Sequence, residues 1–341
     1  MGTLFRRDGL RRGHDTARSP GVVAVTGEFT EITVVGEDST GLIARVTTML
    51  FERGINIEDL DQDVREDVFR MRMHVDTGDM VTTQETLRED LAALGDDLGM
   101  DVQVRFPDDR DARRLAVLVT KESHCLEHLL AAREDGELDA DIACVVGNHD
   151  DLHPFVPDDV PFYDIGDDSG QPDEDWLLDI LAEHDVDLVV LARYMRILSP
   201  EVVFRYENRI INVHPSLLPS FPGASAYLQA VEEGVRVAGV TAHYVTTDLD
   251  QGPIIAQRAL NVRPDDDADS LRRRGQPLEA EVLLEAVQMH LNDDLVVRRG
   301  RTELREGVEP SAYQFGLPAG FEDGLPDAPV DAAERADDAA D

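Results

Sequence analysis

Lysine is almost missing from this sequence. Among its 32 basic residues only Lys121 is a lysine, so arginine carries nearly all the positive charge, and 71 acidic residues leave a formal net charge of −39. A field that negative argues against nucleic acid or an anionic membrane surface as partner. Cysteine is scarce as well: Cys125 and Cys144 make neither a disulfide framework nor a zinc set. No apolar run approaches the ~20 residues that cross a bilayer. The arginine-bearing start, MGTLFRRDGLRRGHDTARSPG, has no hydrophobic segment behind it and fails as a secretory leader. These absences predict a soluble, cytoplasmic protein. An acidic, lysine-poor chain with 5% aromatic residues suits a halophilic cytoplasm, where ~1 M salt screens charge repulsion within about 3 Å.

What is present is enough for a large core. With 341 residues, 42% of them hydrophobic, the chain has room for two domains. Residues 1–29 and 306–341 read as extensions, and the tail EDGLPDAPVDAAERADDAAD, with almost nothing to bury, is expected to be disordered. From 30 to 107 the order is strand (EITVVG), helix (GLIARVTTMLFERG), two strands (INIEDLDQDV and VFRMRMHVD), helix (TTQETLREDLAAL) and strand (MDVQVRF). Leu42, Val46 and Leu50 share one helix face, Gly54 is its stop, and Thr82 and Thr83 are N-cap candidates for the second helix. This βαββαβ order predicts a ferredoxin-like domain. After the polar linker PDDRDARR, residues 113–305 alternate β and α, starting with the apolar strand RLAVLVT and closing on the helix LEAEVLLEAVQMHL. The pattern predicts a Rossmann-like, doubly wound α/β domain, whose ligands sit beyond the carboxyl ends of the strands.

One stretch, INVHPSLLPSFPGA (211–224), stands out. A strand ends in Asn212-x-His214 and passes directly into a loop stiffened by Pro215, Pro219 and Pro222. Prolines fix φ and lack a backbone donor, so the loop cannot continue the strand and instead holds a shape. Together with ARYMRIL upstream and GVTAHYVTTDLDQGPIIAQ downstream, the stretch resembles the folate-dependent formyltransferases and formyl hydrolases. The segment EDSTGLIARVTTMLFERGINI resembles an ACT domain, a small amino-acid-sensing module. The two together, with VLVTKESHCLEHLL opening the second domain, resemble the formyltetrahydrofolate deformylase family over a span from near 30 to near 305.

The chemistry can be weighed from the residues themselves. Water attacking a formyl group on nitrogen passes through a tetrahedral oxyanion, which needs a hydrogen-bond donor and a group that handles protons. An Asn amide donates without acting as a base, and His titrates near neutrality. At i, i+2 spacing Asn212 and His214 project to the same side of their strand. Asp250, in the turn TTDLDQG, can reach the same pocket, where a carboxylate fixes the tautomer of an imidazole and orients water. The resemblance implies Asn212 as donor to the formyl oxygen, His214 as proton-handling partner and Asp250 as the group that activates or positions water. Which of the last two takes the proton stays open.

The resemblance further implies a pterin pocket from Met195, Arg196, Ile197 and Leu198, with Val245, Asp248 and Leu249 of the following loop and His243 nearby. Alone, His243 reads as a structural histidine. Lys121, kept where every other basic residue became arginine, is expected to contact substrate. The implied reaction is hydrolysis of 10-formyltetrahydrofolate to formate and tetrahydrofolate, which regulates the one-carbon pool and supplies formate for purine synthesis, with no permanently bound cofactor. The alternative is a phosphoribosylglycinamide formyltransferase, in which a glycine-rich loop after the first strand cradles phosphate. Here that loop reads Thr120-Lys121-Glu122-Ser123-His124-Cys125, without glycine and with a repelling Glu122, which favours water. Pro215 runs the other way, since His-Pro is the form common in the transferases. A remoter alternative is a non-enzymatic sensor of amino acids and folate. In the ACT-like half, Asp38, Gly41 and Leu42 meet a helix N-terminus that can hold a carboxylate, and Asn56 lies on the next strand. A small amino-acid effector and a homo-oligomer are implied there. No metal site is expected: His149 and His153, beside Asp150 and Asp151, read as a solvated acidic loop.

Overall fold

The computed structural model describes residues 29–106, 113–305 and 307–308; the expectations for the first extension, the linker and the acidic tail fall outside these residues. In the first domain β1 (Thr30–Glu37), α1 (Leu42–Glu52), β2 (Asn56–Arg65), β3 (Val68–Asp76), α2 (Gln84–Leu98) and β4 (Met100–Arg105) follow the βαββαβ order. The four strands form an antiparallel sheet in the order β2-β3-β1-β4. The apolar stripe Leu42, Val46 and Leu50 of α1 is buried against Ile32, Val34, Met71 and Met73. Gly54, at φ 71°, follows the C-cap Arg53, and Thr83 caps α2 by accepting the Thr86 N–H at 3.1 Å. Edge strand β2 pairs on one side only, and Glu58, Asp59, Asp61, Glu66 and Asp67 are exposed along it and the turn after it. Charge on an open edge discourages further strand pairing.

The second domain comprises β5 (Arg114–Val119), α3 (His124–Glu134), β6 (Asp141–Gly147), β7 (Phe162–Asp164), α4 (Glu174–Glu183), β8 (Leu188–Leu191), α5 (Pro200–Arg205), β9 (Ile210–His214), α6 (Ala226–Glu232), β10 (Val237–Tyr244), β11 (Ile254–Asn261), α7 (Ala268–Leu291), β12 (Leu295–Arg298) and β13 (Arg301–Leu304). Seven strands make one sheet in the order β11-β10-β9-β8-β5-β6-β7. β5 to β9 run parallel, and β10 and β11 turn antiparallel at one edge. The chain moves outward from β5 through β6 and β7, then returns to place β8 on the other side of β5. The crevice beyond the strand ends opens at that reversal.

Sequence and structure differ at α7. The sequence pattern starts the last helix at Leu278, yet it begins at Ala268 and runs through Gly275 and Pro277. Asp267 and Ser270 form a capping box: the Asp267 carboxylate accepts the Ser270 N–H at 2.7 Å and the Ser270 hydroxyl accepts the Asp267 N–H at 3.0 Å. This start and the buried stripe beyond outweigh one missing N–H and one glycine. The short elements β7, α5, α6, β12 and β13 were not anticipated, because each holds too few residues to show a period.

The first domain's sheet rests on α5 and the turn after it through polar contacts. Arg70 donates to Glu207 (2.5 Å), Arg205 pairs with Asp101 (3.2 Å) and Arg105 with Asp187 (3.2 Å), while Arg209 donates to Gln103 (3.4 Å). Arg209, directly before β9, is buried; desolvation, then the nearby Arg105, pull its pKa down to about 10. We propose that self-repulsion of the acidic surface sets the salt demand of this fold. Thermal unfolding in KCl should then show a rising midpoint between about 0.1 M and about 1 M, as the screening length falls from about 10 to about 3 Å; a flat or falling midpoint would refute it.

Candidate active site

β9 ends at the crevice, and its register with β10 decides what stands beside it. The antiparallel pairing sets Asn212 opposite His243 and His214 opposite Thr241. His243 Nδ1 donates to the Tyr244 carbonyl at 2.9 Å, so its Nε2 is left as an acceptor and faces Asn212 Nδ2 at 3.2 Å. That bond turns the amide NH2 of Asn212 toward His243 and leaves its second N–H available. Burial pushes the pKa of His243 down, which keeps the ring neutral and able to accept.

Asp250 arrives from the turn after β10, with φ at 54°, in the left-handed region that few non-glycine residues occupy. Its side chain is 7% exposed. One oxygen lies 3.4 Å from His214 Nδ1 and accepts the Gly223 N–H at 2.7 Å; the other lies 3.8 Å from His243 Nε2. A hydrogen bond to a carboxylate contributes roughly 1.5–3 kcal/mol, so Gly223 is a substantial anchor. His214 Nε2 donates to the Phe221 carbonyl at 2.9 Å. The proline-rich loop therefore supplies a carbonyl to His214 and an N–H to Asp250. Buried Thr241 fastens the loop: its hydroxyl donates to the Ser216 carbonyl (2.7 Å) and accepts from Leu218 N (3.0 Å) and Gln257 Nε2 (2.8 Å).

These groups open on a cleft of about 580 Å³. Met195, Arg196, Ile197, Leu198, His243, Val245 and Leu249 line it together with Asn212, His214 and Asp250. Met195, Ile197 and Leu249 are half or more exposed at the mouth, an apolar rim suited to a flat ring. The segment is held from behind, since Met195 N donates to Thr120 Oγ1 (2.9 Å) and Arg196 Nε to the Gly170 carbonyl (2.8 Å).

Two expected contacts fall outside the cleft lining. Lys121 is 57% exposed with Nζ 3.9 Å from Asp151, and Asp248 is 56% exposed and faces Arg65 at 3.7 Å. Thr246 and Thr247, not Asp248, line that part of the loop. In the first domain Gly41 takes φ 95° as the N-cap of α1 with no side-chain cap, and Asp38 and Asn56 are exposed. Leu42 is 2% exposed: as the first residue of the apolar stripe it faces the core, not a ligand. His153 stacks on Phe162 at 4.9 Å between centroids, a packing role.

Sequence reasoning missed Arg193, Tyr227 and Arg272, which line the cleft together with Glu122. The signal was Glu279, a carboxylate on the same face of α7 as Val282, Leu283 and Ala286, all buried. His124, Cys125 and Glu279 form the one group among the described residues with metal-ligand spacing. It does not suit a metal ion. Both Glu279 oxygens already serve Tyr227, His124 and Arg193, and burial, then the Glu279 charge, hold the Cys125 thiol well above its ordinary pKa and so protonated.

Comparison with known proteins points the same way. Residues 113–287 match the formyl transferase family and residues 29–105 the ACT domain family. The formyltetrahydrofolate deformylase of Bacillus subtilis (strain 168) is 37% identical over 271 residues, covering 78% of this chain and 90% of that one. The deformylase of Escherichia coli (strain K12) is 39% identical over 270 residues, covering 78% and 94%. The crystal structure of a formyltetrahydrofolate deformylase from Pseudomonas syringae pv. tomato superposes with a TM-score of 0.56 at 32% identity, covering 82% of this chain and 96% of that one. A phosphoribosylglycinamide formyltransferase from Anaplasma phagocytophilum gives 0.54 at 32% identity but covers only 61% of this chain. Fold and cleft thus define a formyl transferase-type enzyme preceded by an ACT domain. The shared two-domain layout narrows the class, and the chain belongs to the formyltetrahydrofolate deformylase family.

Two outcomes follow from this geometry. A β-carbon on Gly252 would run into the Tyr244 carbonyl oxygen; Gly252→Ala should displace the Asp250 turn, lowering the melting temperature by several degrees (about 2–4 °C per kcal/mol at this size) and activity with it. Buried His243 and half-buried His290 have lowered pKa values, His290 down to about 3 through desolvation and then Arg113. The unfolded chain takes up protons at these positions below the ordinary histidine value of 6.5, and the folded chain does not. Their contribution is complete above pH 6.5 and declines as pH falls, for His290 down to about 3. Urea unfolding at stepped pH should show this decline, less steep in His290→Gln.

Proposed function

We propose that the chain hydrolyses 10-formyltetrahydrofolate to formate and tetrahydrofolate, with Asn212, His214 and Asp250 as its catalytic residues. The observation that carries this reading is their convergence, from one strand and a turn, in a cleft with an apolar rim. The pterin lies between the segment 195–198 and the loop 245–249, and the formyl carbon faces Asn212 and His214. Water held by the His214–Asp250 pair attacks that carbon and gives up a proton to the pair. Charge growing on the formyl oxygen is met by the Asn212 N–H that His243 leaves available. As the tetrahedral intermediate collapses, the bond to N10 breaks, the pair returns its proton to that nitrogen, and formate leaves. No step calls for a cofactor.

In the ACT-like half, a small amino acid would place its carboxylate at the uncapped N-terminus of α1 beside Gly41, within reach of Asp38 and Asn56. Assembly as a homo-oligomer belongs to the same reading.

The test is formate release from 10-formyltetrahydrofolate with no amine present. Asn212→Ala should lower kcat by roughly 10²–10³ with KM little changed, and Asp250→Asn by roughly 10²–10⁴. Turnover that appears only when glycinamide ribonucleotide is added would overturn hydrolysis in favour of transfer.

A further inference from the structure

We propose that Arg193 and Tyr227, both gripped by the buried carboxylate of Glu279, form a wall at the acceptor end of the cleft that admits water and shuts out amine nucleophiles. The inference rests on the hydrolytic reading above and assigns its specificity to residues outside the catalytic three.

Glu279 is fully buried in α7. One of its oxygens accepts the Tyr227 hydroxyl at 2.6 Å; the other lies 3.2 Å from Arg193 Nε and 3.2 Å from His124 Nε2. Arg193 Nε is also 3.0 Å from Glu122. Burial by itself would neutralise such a pair, yet the mutual contacts prevail: Glu279 sits below its ordinary pKa and Arg193 above, so both are charged. The backbone bends to allow it. Arg193 has φ 63°, an unfavourable value for a non-glycine residue, and Gly275 lacks the β-carbon that would collide with the Tyr227 hydroxyl.

A buried carboxylate with this many partners fixes them in turn, because withdrawing any one leaves buried charge uncompensated. Arginine and tyrosine are long side chains that would swing aside if held only at the backbone. Here Tyr227 is also held at its hydroxyl and Arg193 at Nε, which restrains both side chains. The wall lines the same cleft as Asn212 and His214 and, through Glu122, adjoins the loop after β5. The guanidinium of Arg193 already faces two carboxylates and has no charge left for a phosphate, and Glu122 adds repulsion. Water and an amine would react alike at the formyl carbon: a bond forms to the nucleophile, the bond to N10 breaks, and the nucleophile's proton ends on N10. Only access separates them.

The experiment measures how the formyl group divides between water and an added amine, a ratio that does not depend on how much enzyme is folded. The full chain is given 10-formyltetrahydrofolate with hydroxylamine or with glycinamide, and formate, formyl hydroxamate and formylglycinamide are quantified. The wild type should use hydroxylamine, which is nearly as small as water, and reject glycinamide. The Arg193→Ala/Glu279→Gln double variant, which leaves no unpaired Glu279 charge, and Tyr227→Ala should raise the formylglycinamide-to-formate ratio roughly ten- to a hundredfold. Tyr227→Phe, which keeps the bulk, should match the wild type. Equal use of both amines by the wild type overturns the wall without any variant. So does an unchanged ratio in either folded open variant. Absence of formate from every protein instead refutes the hydrolytic reading itself.

Discussion

A carboxylate taken out of water must be met by donors, and in this protein that requirement falls on Asp250. Its side chain is almost wholly buried: the Gly223 N–H donates to it, His214 Nδ1 lies at 3.4 Å, and the neutral His243 ring stands beyond at 3.8 Å. Those groups come from β9, from β10 and from the loop between β9 and α6. Each segment is therefore tied to a position it would not otherwise need. β10 pairs with β9 in the register that sets His243 beside Asn212, the proline-rich loop folds back until Gly223 reaches the carboxylate, and the turn carrying Asp250 accepts a left-handed backbone. Leaving a buried charge unmet would cost several kcal/mol, more than any of these distortions.

The cleft around this group has two characters. Toward Met195, Ile197 and Leu249 it is apolar and open, as a binding face for a flat ring should be. Along Glu122, Arg193 and Arg272 it is ionic. On the proposed mechanism the reacting carbon would lie where the two meet, with one part suited to binding and the other to limiting what may attack.

Much of this architecture was legible in the residue pattern. The stripe of Leu42, Val46 and Leu50, the strand RLAVLVT and the Asn-x-His strand end follow from short-range periodicity, and they lie where that periodicity puts them. What escaped depends on contacts between distant segments. Nothing in the spelling of Phe221 or Gly223 says that their backbone atoms meet His214 and Asp250. Pro277 and Gly275 look like breakers of α7 until the capping box ahead of them and the tyrosine packed on the glycine are seen. Lys121 illustrates the opposite error: its rarity suggested a task in the cleft, and the side chain instead lies in solvent near Asp151.

The seam between the two domains differs in kind from either core. Its polar contacts run from Arg70, Arg105, Arg205 and Arg209 to carboxylates and a glutamine, around the buried ring of Phe204 beneath the Arg70 guanidinium. Pulling such a joint apart uncovers charged groups that water and dissolved ions solvate well, beside that ring. The joint also abuts the root of the strand that holds Asn212 and His214, since Arg209 is the residue before β9. Arg209 stands three residues before Asn212, so a tilt of the small sheet would reach the crevice by way of a single strand.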